Sequence, residues 1–252
     1  MDKLLREILD DLENGRVEDV RIGLHWIGVS INVNGDLRSG LASTVSASHD
    51  HGTGFDVPNA GSLTGMSGLE MAQMVFDEHP IRVGLGLAAV NALLKPCQSL
   101  WEEINAEHVI ARFGENENVG LVGRFPFIFR LREKVKNLYV FEQNPQPGEY
   151  SQAQMKDILP DCKVVAITGM TLINHTFEEI LSHKSNPAVC LLMGPTTPIT
   201  PRLFDFGVDL VSGAVVENIE AVMLHISQGA AFRQIHKAGT RLVTIQSPRL
   251  KA

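Results

Sequence analysis

The chain has 252 residues, of which 44% are hydrophobic and 20% are charged. This length and composition are typical of a globular protein with one large domain or two modest ones. Its 29 acidic residues exceed its 22 basic ones, for a formal net charge of −7. Nucleic acid and anionic membrane surfaces are therefore not expected as partners, because both bind clustered Lys and Arg.

The cysteines and the N-terminal segment indicate the compartment. Cys97, Cys162 and Cys190 are widely separated, which is neither a disulfide framework nor a CxxC zinc site, and free thiols favour a reducing compartment. The first residues, MDKLLREILDDLENG, are charged and amphipathic and lack the apolar core of a signal peptide. No stretch reaches the roughly 20 apolar residues of a spanning helix. We therefore expect a cytoplasmic protein with no membrane partner.

The first part of the chain reads as a small α+β unit, in which helical periodicity, alternation and turn residues predict the elements. They are a helix over residues 2–14 ended by Gly15, one or two strands over 17–31, an Asn34-Gly35 hairpin turn, a partner strand over 37–44, and helices over 69–78 and 81–94.

Residues 45–68 interrupt this unit with a polar stretch rich in Gly and Ser. A loop of this length is usually functional or disordered, and one interpretation is a mobile lid. Within it, His49 and His51 flank Asp50 and alternate onto one side of an extended chain. Imidazole and carboxylate groups suit zinc, nickel or iron, although two nearby histidines are more often simply polar loop residues.

Residues 112–118 (RFGENEN) are the best linker candidate, and they divide the chain into an α+β domain over 1–112 and a Rossmann-like α/β domain over 113–252. After them, apolar strands alternate with helices, which predicts a mainly parallel sheet covered on both faces. The predicted strands cover residues 119–123, 138–142, 163–168, 188–193, 210–211 and 242–245. The predicted helices cover residues 128–135, 152–158, 177–183, 200–204 and 217–227.

The first strand-to-helix loop, VGLVGRFPF, lies where a dinucleotide fold has its glycine-rich turn, but only Gly120 and Gly123 are present. Gly123 can allow close backbone approach, Arg124 can add charge, and the next helix N-terminus can hold an anion; the alternative is a tight turn without a ligand. Glu142 ends the second strand, 19 positions after Gly123, near where such folds hold ribose hydroxyls. A solvated loop carboxylate explains it nearly as well.

The loop after the third predicted strand combines Thr168 and Gly169 with Asn174 and Thr176. Asn174 or Thr176 can cap the following helix. In a sharper interpretation, Thr168, Gly169 and Asn174 line a cleft at the ends of the strands. Both interpretations can hold together.

The most distinctive segment is MGPTTPITPRLF, which follows the fourth predicted strand. Its prolines stiffen the loop and remove backbone donors, while Thr196 offers a hydroxyl and Gly194 a tight turn. A stiff loop at the carboxyl end of a central strand suits ligand recognition, so Gly194, Thr196 and Pro198 are predicted to bind a ligand. A purely structural connection is the alternative.

Asn91 lies in an apolar helix rich in small residues. A buried amide must find hydrogen-bond partners, so Asn91 is either a structural bridge or a site residue. The small residues of the same helix could also serve a homodimer interface.

Several of these segments resemble a known family of bacterial and archaeal proteins, the putative heavy-metal chelation family. The resemblance is carried by GLAAVNALL (86–94), VGRFPF (122–127), ITGMTLINHTFEEIL (167–181) and MGPTTPITPRLFDFGVD (193–209). It implies an enolase N-terminal-like domain followed by a Rossmann-like domain, with a cleft between them and a role in chelating metal. The cleft residues that it implies are Asn91, Gly123, Arg124, Glu142, Thr168, Asn174, Thr196 and Pro198.

Together these observations favour a protein that binds a small molecule or a metal chelate in an interdomain cleft. The alternative is an enzyme with a nucleotide-type cofactor, NAD or S-adenosylmethionine, held by Glu142. Two further hypotheses are metal binding by His49 and His51, and a non-catalytic protein that binds partner proteins. No GxSxG motif, Walker A loop or Cys–His pair identifies a reaction, so neither ligand nor metal is assigned.

Overall fold

The computed structural model describes residues 2–45, 57 and 59–250. A three-stranded antiparallel sheet is followed along the chain by a six-stranded, mostly parallel sheet. The predicted fold class, a small α+β part followed by a Rossmann-like part with a mainly parallel sheet, is confirmed. No helix within the described residues is long and apolar enough to cross a membrane.

The first part of the chain follows the predicted order of elements. These are α1 (Asp2–Asp10), β1 (Arg16–Ile22), β2 (Trp26–Val33), β3 (Asp36–Ser43), α2 (Gly68–Ala72), a 3-10 turn (Gln73–Phe76) and α3 (Pro80–Leu93). The turn residues Asn34 and Gly35 have φ angles of 55° and 92°, as a type I′ hairpin requires. Helix α1 ends at Asp10 instead of continuing to Gly15. A Cβ atom on Gly15 would lie 2.6 Å from the carbonyl oxygen of Asn32, so the chain has left the helix to approach the sheet.

Helix α3 lies inside the molecule, against β2 and β3. Its residues from Val83 to Val90 are all buried. A Cβ on Gly86 would lie 2.5 Å from the main-chain nitrogen of Val75, so the small residues serve close packing within the chain. The small residues of α3 therefore pack within the chain, and the possible homodimer stays a prediction.

The second part of the chain alternates strands and helices. They are α4 (Ala106–Gly114), β4 (Asn118–Val122), α5 (Ile128–Arg132), β5 (Asn137–Phe141), α6 (Met155–Ile158), β6 (Val164–Thr168), α7 (Met170–Ile173), α8 (Phe177–Ser182), β7 (Val189–Met193), β8 (Leu210–Val216), α9 (Ile219–Ser227), α10 (Phe232–Gly239) and β9 (Thr240–Gln246). The strand order is β5-β4-β6-β7-β8-β9. The first five strands are parallel, and β9 runs antiparallel to β8.

Several local predictions differ from the structure. Residues 112–114, predicted to begin a linker, form the last turn of α4, whose Val109 and Ile110 are buried in one cluster with Val119 of β4. The segment predicted as a helix over 200–204 is a 3-10 turn (Pro201–Phe206). Helices α4, α7 and α10 have no predicted counterpart. The division of the chain at residues 112 and 113 stays a prediction.

One hydrophobic core joins the two sheets. It runs without interruption from Leu4 of α1 through Ile27 of β2 to Ile167 of β6 and Ile245 of β9. The antiparallel sheet is thereby packed against the parallel sheet, and its β3 strand contacts β8. This packing brings the last residue of β3 to the carboxyl ends of the parallel strands.

Candidate functional site

A cleft of about 410 Å³ lies at the carboxyl ends of the parallel strands. Residues from the loops after β4, β5, β6 and β7 line it, together with residues of the antiparallel sheet and of α6, α8 and α10. These are Trp26, Ser43, 122–126, 141–143, Gln152, Met155, 168–171, Asn174, Thr176, Ile180, 194–196 and Phe232. Strand order reverses between β4 and β6, and open α/β sheets bind ligands at that switch point. We refer to this cavity as the cleft.

Gly123 brings the loop after β4 close to the loop after β6. Its φ angle is +104°, and a Cβ atom there would lie 3.1 Å from Cβ of Thr168. Its N–H donates to the carbonyl of Phe141 (3.0 Å). Four residues separate Gly123 from α5, which is only five residues long, so the expected anion site at this helix N-terminus stays a prediction.

Arg124 lines the cleft but is neutralised by a neighbour. Its Nε and Nη2 donate to the two carboxylate oxygens of Glu149 at 2.8 and 2.6 Å. These hydrogen bonds, with one from the main-chain N–H of Gln146, lower the pKa of Glu149 from 4.5 to about 2. Arg124 is therefore not the free cation that the sequence suggests for an anionic ligand.

Glu142 follows the last residue of β5 and is half-buried at the cleft wall. Its main-chain N–H donates to the carbonyl of Tyr150 (2.9 Å), which orders the backbone at this position. Its carboxylate has no hydrogen-bond or ion-pair partner among the described residues. Arg124 is close enough to Glu142 for their charges to attract, but its guanidinium donates its hydrogen bonds to Glu149 instead.

The loop after β6 supplies hydroxyl and amide groups. The hydroxyl of the buried Thr171 donates to the carbonyl of Thr168 (2.7 Å). The Asn174 amide is assigned from its neighbours: its nitrogen donates to Thr176 and to main-chain carbonyls, and its oxygen accepts from Nε2 of Gln143 (2.9 Å). The predicted capping is wrong, because Thr176 occupies the N-cap position of α8 but makes no side-chain capping bond. Its hydroxyl bonds Asn174 instead.

The loop after β7 forms one wall of the cleft. Gly194 has a φ angle of +115°, which favours glycine. Thr196 is 1% exposed, and its hydroxyl accepts from the main-chain N–H of Ser43 (2.9 Å). The predicted ligand residue Pro198 is buried outside the lining of the cleft.

Asn91 is also absent from the lining of the cleft. Its Nδ2 donates to the carbonyl of Leu41 in β3 (2.9 Å) and to the carbonyl of Thr196 (3.2 Å). Of the two roles left open by the sequence, the contacts are those of a structural bridge between the antiparallel sheet and the loop after β7.

The cleft also contains aromatic residues that sequence reasoning missed. Trp26 begins β2, and its ring lies 5.5 Å, centroid to centroid, from that of Phe232 in α10. Phe125 stacks on Phe127 at 5.3 Å with 19° between the ring planes. No local signal distinguishes Trp26 from a core residue, whereas the aromatic RFPF segment could have indicated an apolar wall in place of a phosphate loop.

The described residues offer no cluster of side chains for direct metal binding. Among residues 2–45, 57 and 59–250, no group of three or more His, Cys, Asp or Glu side chains could hold a metal ion. The predicted metal ligands His49 and His51 lie outside the described residues. Burial raises the pKa of Cys162 and of Cys190 to about 12, so neither thiol is a ready soft-metal ligand.

Two family models, both described as putative heavy-metal chelation, match this chain. The DUF364 model matches residues 106–244, and the DUF4213 model matches residues 5–94. An uncharacterised protein of Methanocaldococcus jannaschii is 25% identical, over 97% of this chain and 95% of its own length.

Two crystal structures share the fold. A DUF364-family protein of unknown function from Desulfitobacterium hafniense superposes with a TM-score of 0.84 at 22% identity, covering 98% of this chain and 99% of its own. Another, from Pyrococcus horikoshii, has a TM-score of 0.78 at 23% identity, covering 98% and 97%. The arrangement of the two sheets is therefore common to these proteins.

Proposed function

We propose a function from one premise: the chain belongs to the putative heavy-metal chelation family, whose two models match its two halves. In this proposal, the cleft binds a small organic molecule that carries a metal ion, and the metal is cargo held mainly by that molecule. The observation that carries the proposal is the carboxylate of Glu142, which makes no hydrogen bond or ion pair within the described part of the chain and lies in a largely apolar cavity of about 410 Å³.

The donor groups of the cleft support a chelate over a bare heavy-metal ion. Soft and borderline metals select thiolate and imidazole ligands, and neither type is among the described residues that line the cleft. The groups present are the carboxylate of Glu142, threonine hydroxyls and amides such as Asn174, alongside aromatic walls. Such a lining suits a ligand with polar and apolar parts, and the volume falls in the range of about 300–1,000 Å³ that small-molecule sites occupy.

Glu142 has a defined part in this proposal. A carboxylate without a protein partner in a partly buried cavity is stabilised by a cation or by hydrogen-bond donors from a ligand. It would contact either the positively charged part of the complex or the hydroxyl and amine groups of the chelator.

A thermal-shift screen tests the proposal with metal ions alone, chelators alone and their complexes. A ligand that binds only the native state stabilises it by roughly 2.7 kcal/mol at a hundredfold excess over its Kd. We expect the largest shift with a complex, and loss of that shift in Glu142→Gln. Glu133→Gln, the same charge change at an exposed position outside the cleft, should keep it.

Two results would overturn the proposal. The first is equal stabilisation by bare metal ions and by their complexes, lost when His49 and His51 are replaced with Ala; this would assign chelation to the histidines. The second is an unchanged response of Glu142→Gln to every complex.

A nucleotide-type cofactor, NAD or S-adenosylmethionine, is the second candidate. The position of Glu142 at the end of the second strand of this sheet favours it, because acidic residues there bind ribose hydroxyls. The single-turn helix after Gly123 argues against it. A shift with either nucleotide that Glu142→Gln abolishes would favour this candidate.

A further inference from the structure

A second pocket of about 290 Å³ adjoins the cleft. The two share Phe125, Pro126, Gly194, Pro195 and Phe232 as lining residues. The remaining walls come from the start of α4, from α5 and the residue before it, from the end of β7, and from the paired strands β8 and β9. We refer to this second cavity as the side pocket.

The hydroxyl groups of the side pocket already have partners. Oγ of Ser212 and Oγ1 of Thr244 lie 2.7 Å apart, and Oγ1 of Thr244 donates to the carbonyl of Ile104 (2.9 Å). Both side chains are buried. An occupant therefore gains little by offering further hydrogen-bonding groups to this wall.

The charged groups of the side pocket are paired as well. Glu107 is 5% exposed, and Nε of Arg130 donates to its Oε1 (2.9 Å). The hydrogen bond from Arg130 holds the pKa of Glu107 below its usual value. With both charges satisfied and the walls mainly apolar, the side pocket suits an uncharged group, in contrast to the cleft with Glu142.

One of the five residues that line both cavities is a glycine. Gly194 lines both, and a Cβ atom built on it would have only the main-chain nitrogen of Gly169, at 4.0 Å, within that distance. Gly194 itself therefore places no side chain between the two cavities. Phe125 and Phe232 offer ring surfaces to both cavities, and aromatic faces favour flat apolar groups.

We propose that the side pocket takes a flat, uncharged aromatic arm of the same ligand whose polar, metal-binding end lies in the cleft. This inference rests on the function proposed above and narrows its ligand class. The protein would prefer chelators that carry an aromatic ring over small hydrophilic chelators such as hydroxy acids. Two observations carry the argument: the cavities share lining residues, and the charges of the side pocket are paired with each other while the carboxylate of Glu142 in the cleft makes no hydrogen bond or ion pair within the described residues.

The test compares Ni²⁺ complexes of pyridine-2-carboxylate and quinoline-2-carboxylate, which use the same chelating atoms and differ by one fused ring. Calorimetric titration of the full chain should give about tenfold tighter binding of the quinoline complex, as burial of one added ring predicts. Ala106→Leu, which extends a side chain from α4 into the side pocket, should abolish this preference and keep binding of the pyridine complex. Ala111→Leu on the same helix, outside both cavities, is the matched control.

Each outcome decides between the two proposals. Equal affinity of the wild type for both complexes overturns the side-pocket inference and leaves the proposed function standing, as does a preference that survives Ala106→Leu. Failure of both complexes to bind overturns the inference together with the proposed function. If Ala106→Leu does not fold, Leu242→Phe on the β9 wall makes the same comparison.

Discussion

The hydroxyl oxygen of Thr196 lies 2.9 Å from the main-chain nitrogen of Ser43 and 3.0 Å from its Oγ. Ser43 is the last residue of β3, and Thr196 belongs to the loop after β7. These two bonds join the antiparallel sheet to the parallel sheet at one wall of the cleft. Thr196 thus holds the cleft together, whatever contact it makes with a ligand.

Replacing Thr196 with Val should therefore destabilise the fold. The change keeps the side-chain shape and removes the acceptor for the Ser43 N–H, which costs about 1–3 kcal/mol when a buried donor is left unsatisfied. Urea denaturation would measure the free energy of unfolding. Thr176→Val, whose hydroxyl bonds only the exposed side chain of Asn174, should change it by about 0.5 kcal/mol or less. Equal effects of the two substitutions would contradict this role.

Replacing Asn91 with Leu should also destabilise the protein. The substitution leaves the carbonyls of Leu41 and Thr196 without the amide donor, and we expect a loss of about 1–3 kcal/mol in the free energy of unfolding. Because Asn91 and Thr196 hold the same loop, the double variant Asn91→Leu/Thr196→Val should depart from additivity by about 0.5 kcal/mol or more. Full additivity would show that the two bridges act independently.

The ion pair of Arg124 and Glu149 predicts a pH dependence of stability. The pKa of Glu149 is lowered in the folded protein from 4.5 to about 2. A lowered carboxyl pKa stabilises the fold above the unfolded value, and this contribution is lost as the pH falls from 4.5 towards 2. Glu149→Gln should therefore lower stability near neutral pH and flatten the dependence over that window. Denaturation curves across this pH range would show it, and an unchanged slope would contradict the pairing.

Cys162 and Cys190 should resist alkylation in the folded protein. Burial raises the pKa of both thiols to about 12, so the reactive thiolate is scarce near about pH 8, and burial also blocks the reagent. Mass spectrometry after iodoacetamide treatment should find both cysteines labelled only when the protein is unfolded in urea. Rapid labelling of either cysteine under native conditions would contradict the buried placement.

The strands of the parallel sheet show how much of the fold can be predicted locally. The sequence predicts β4 to β7 within one residue at each end, because strands buried on both faces are continuous apolar runs. It predicts only the first two residues of β8, where Gly213 interrupts the apolar pattern. It carries no signal for the reversed direction of β9, because strand direction depends on how the chain crosses the sheet.

The candidate site was only partly predictable. Most of the predicted ligand residues line the cleft, because the carboxyl ends of parallel strands meet at one edge. Asn91 and Pro198 do not line it. Trp26 and Phe232 do, from an antiparallel strand and an unpredicted helix, and nothing in their local sequence indicates that position.

The sequence by itself determined the order of strands and helices and the loops that carry polar groups, since periodicity and turn chemistry depend on near neighbours along the chain. Only the tertiary structure decided which of those groups remain available. Arg124 is neutralised by Glu149, Thr196 is joined to Ser43, and the carboxylate of Glu142 makes no hydrogen bond or ion pair with the residues that the structure describes. The partners in each pair are distant along the chain, and only packing of the folded chain brings them within hydrogen-bonding distance. For the same reason, the sequence alone does not show that the carboxylate of Glu142 has no such partner among the described residues.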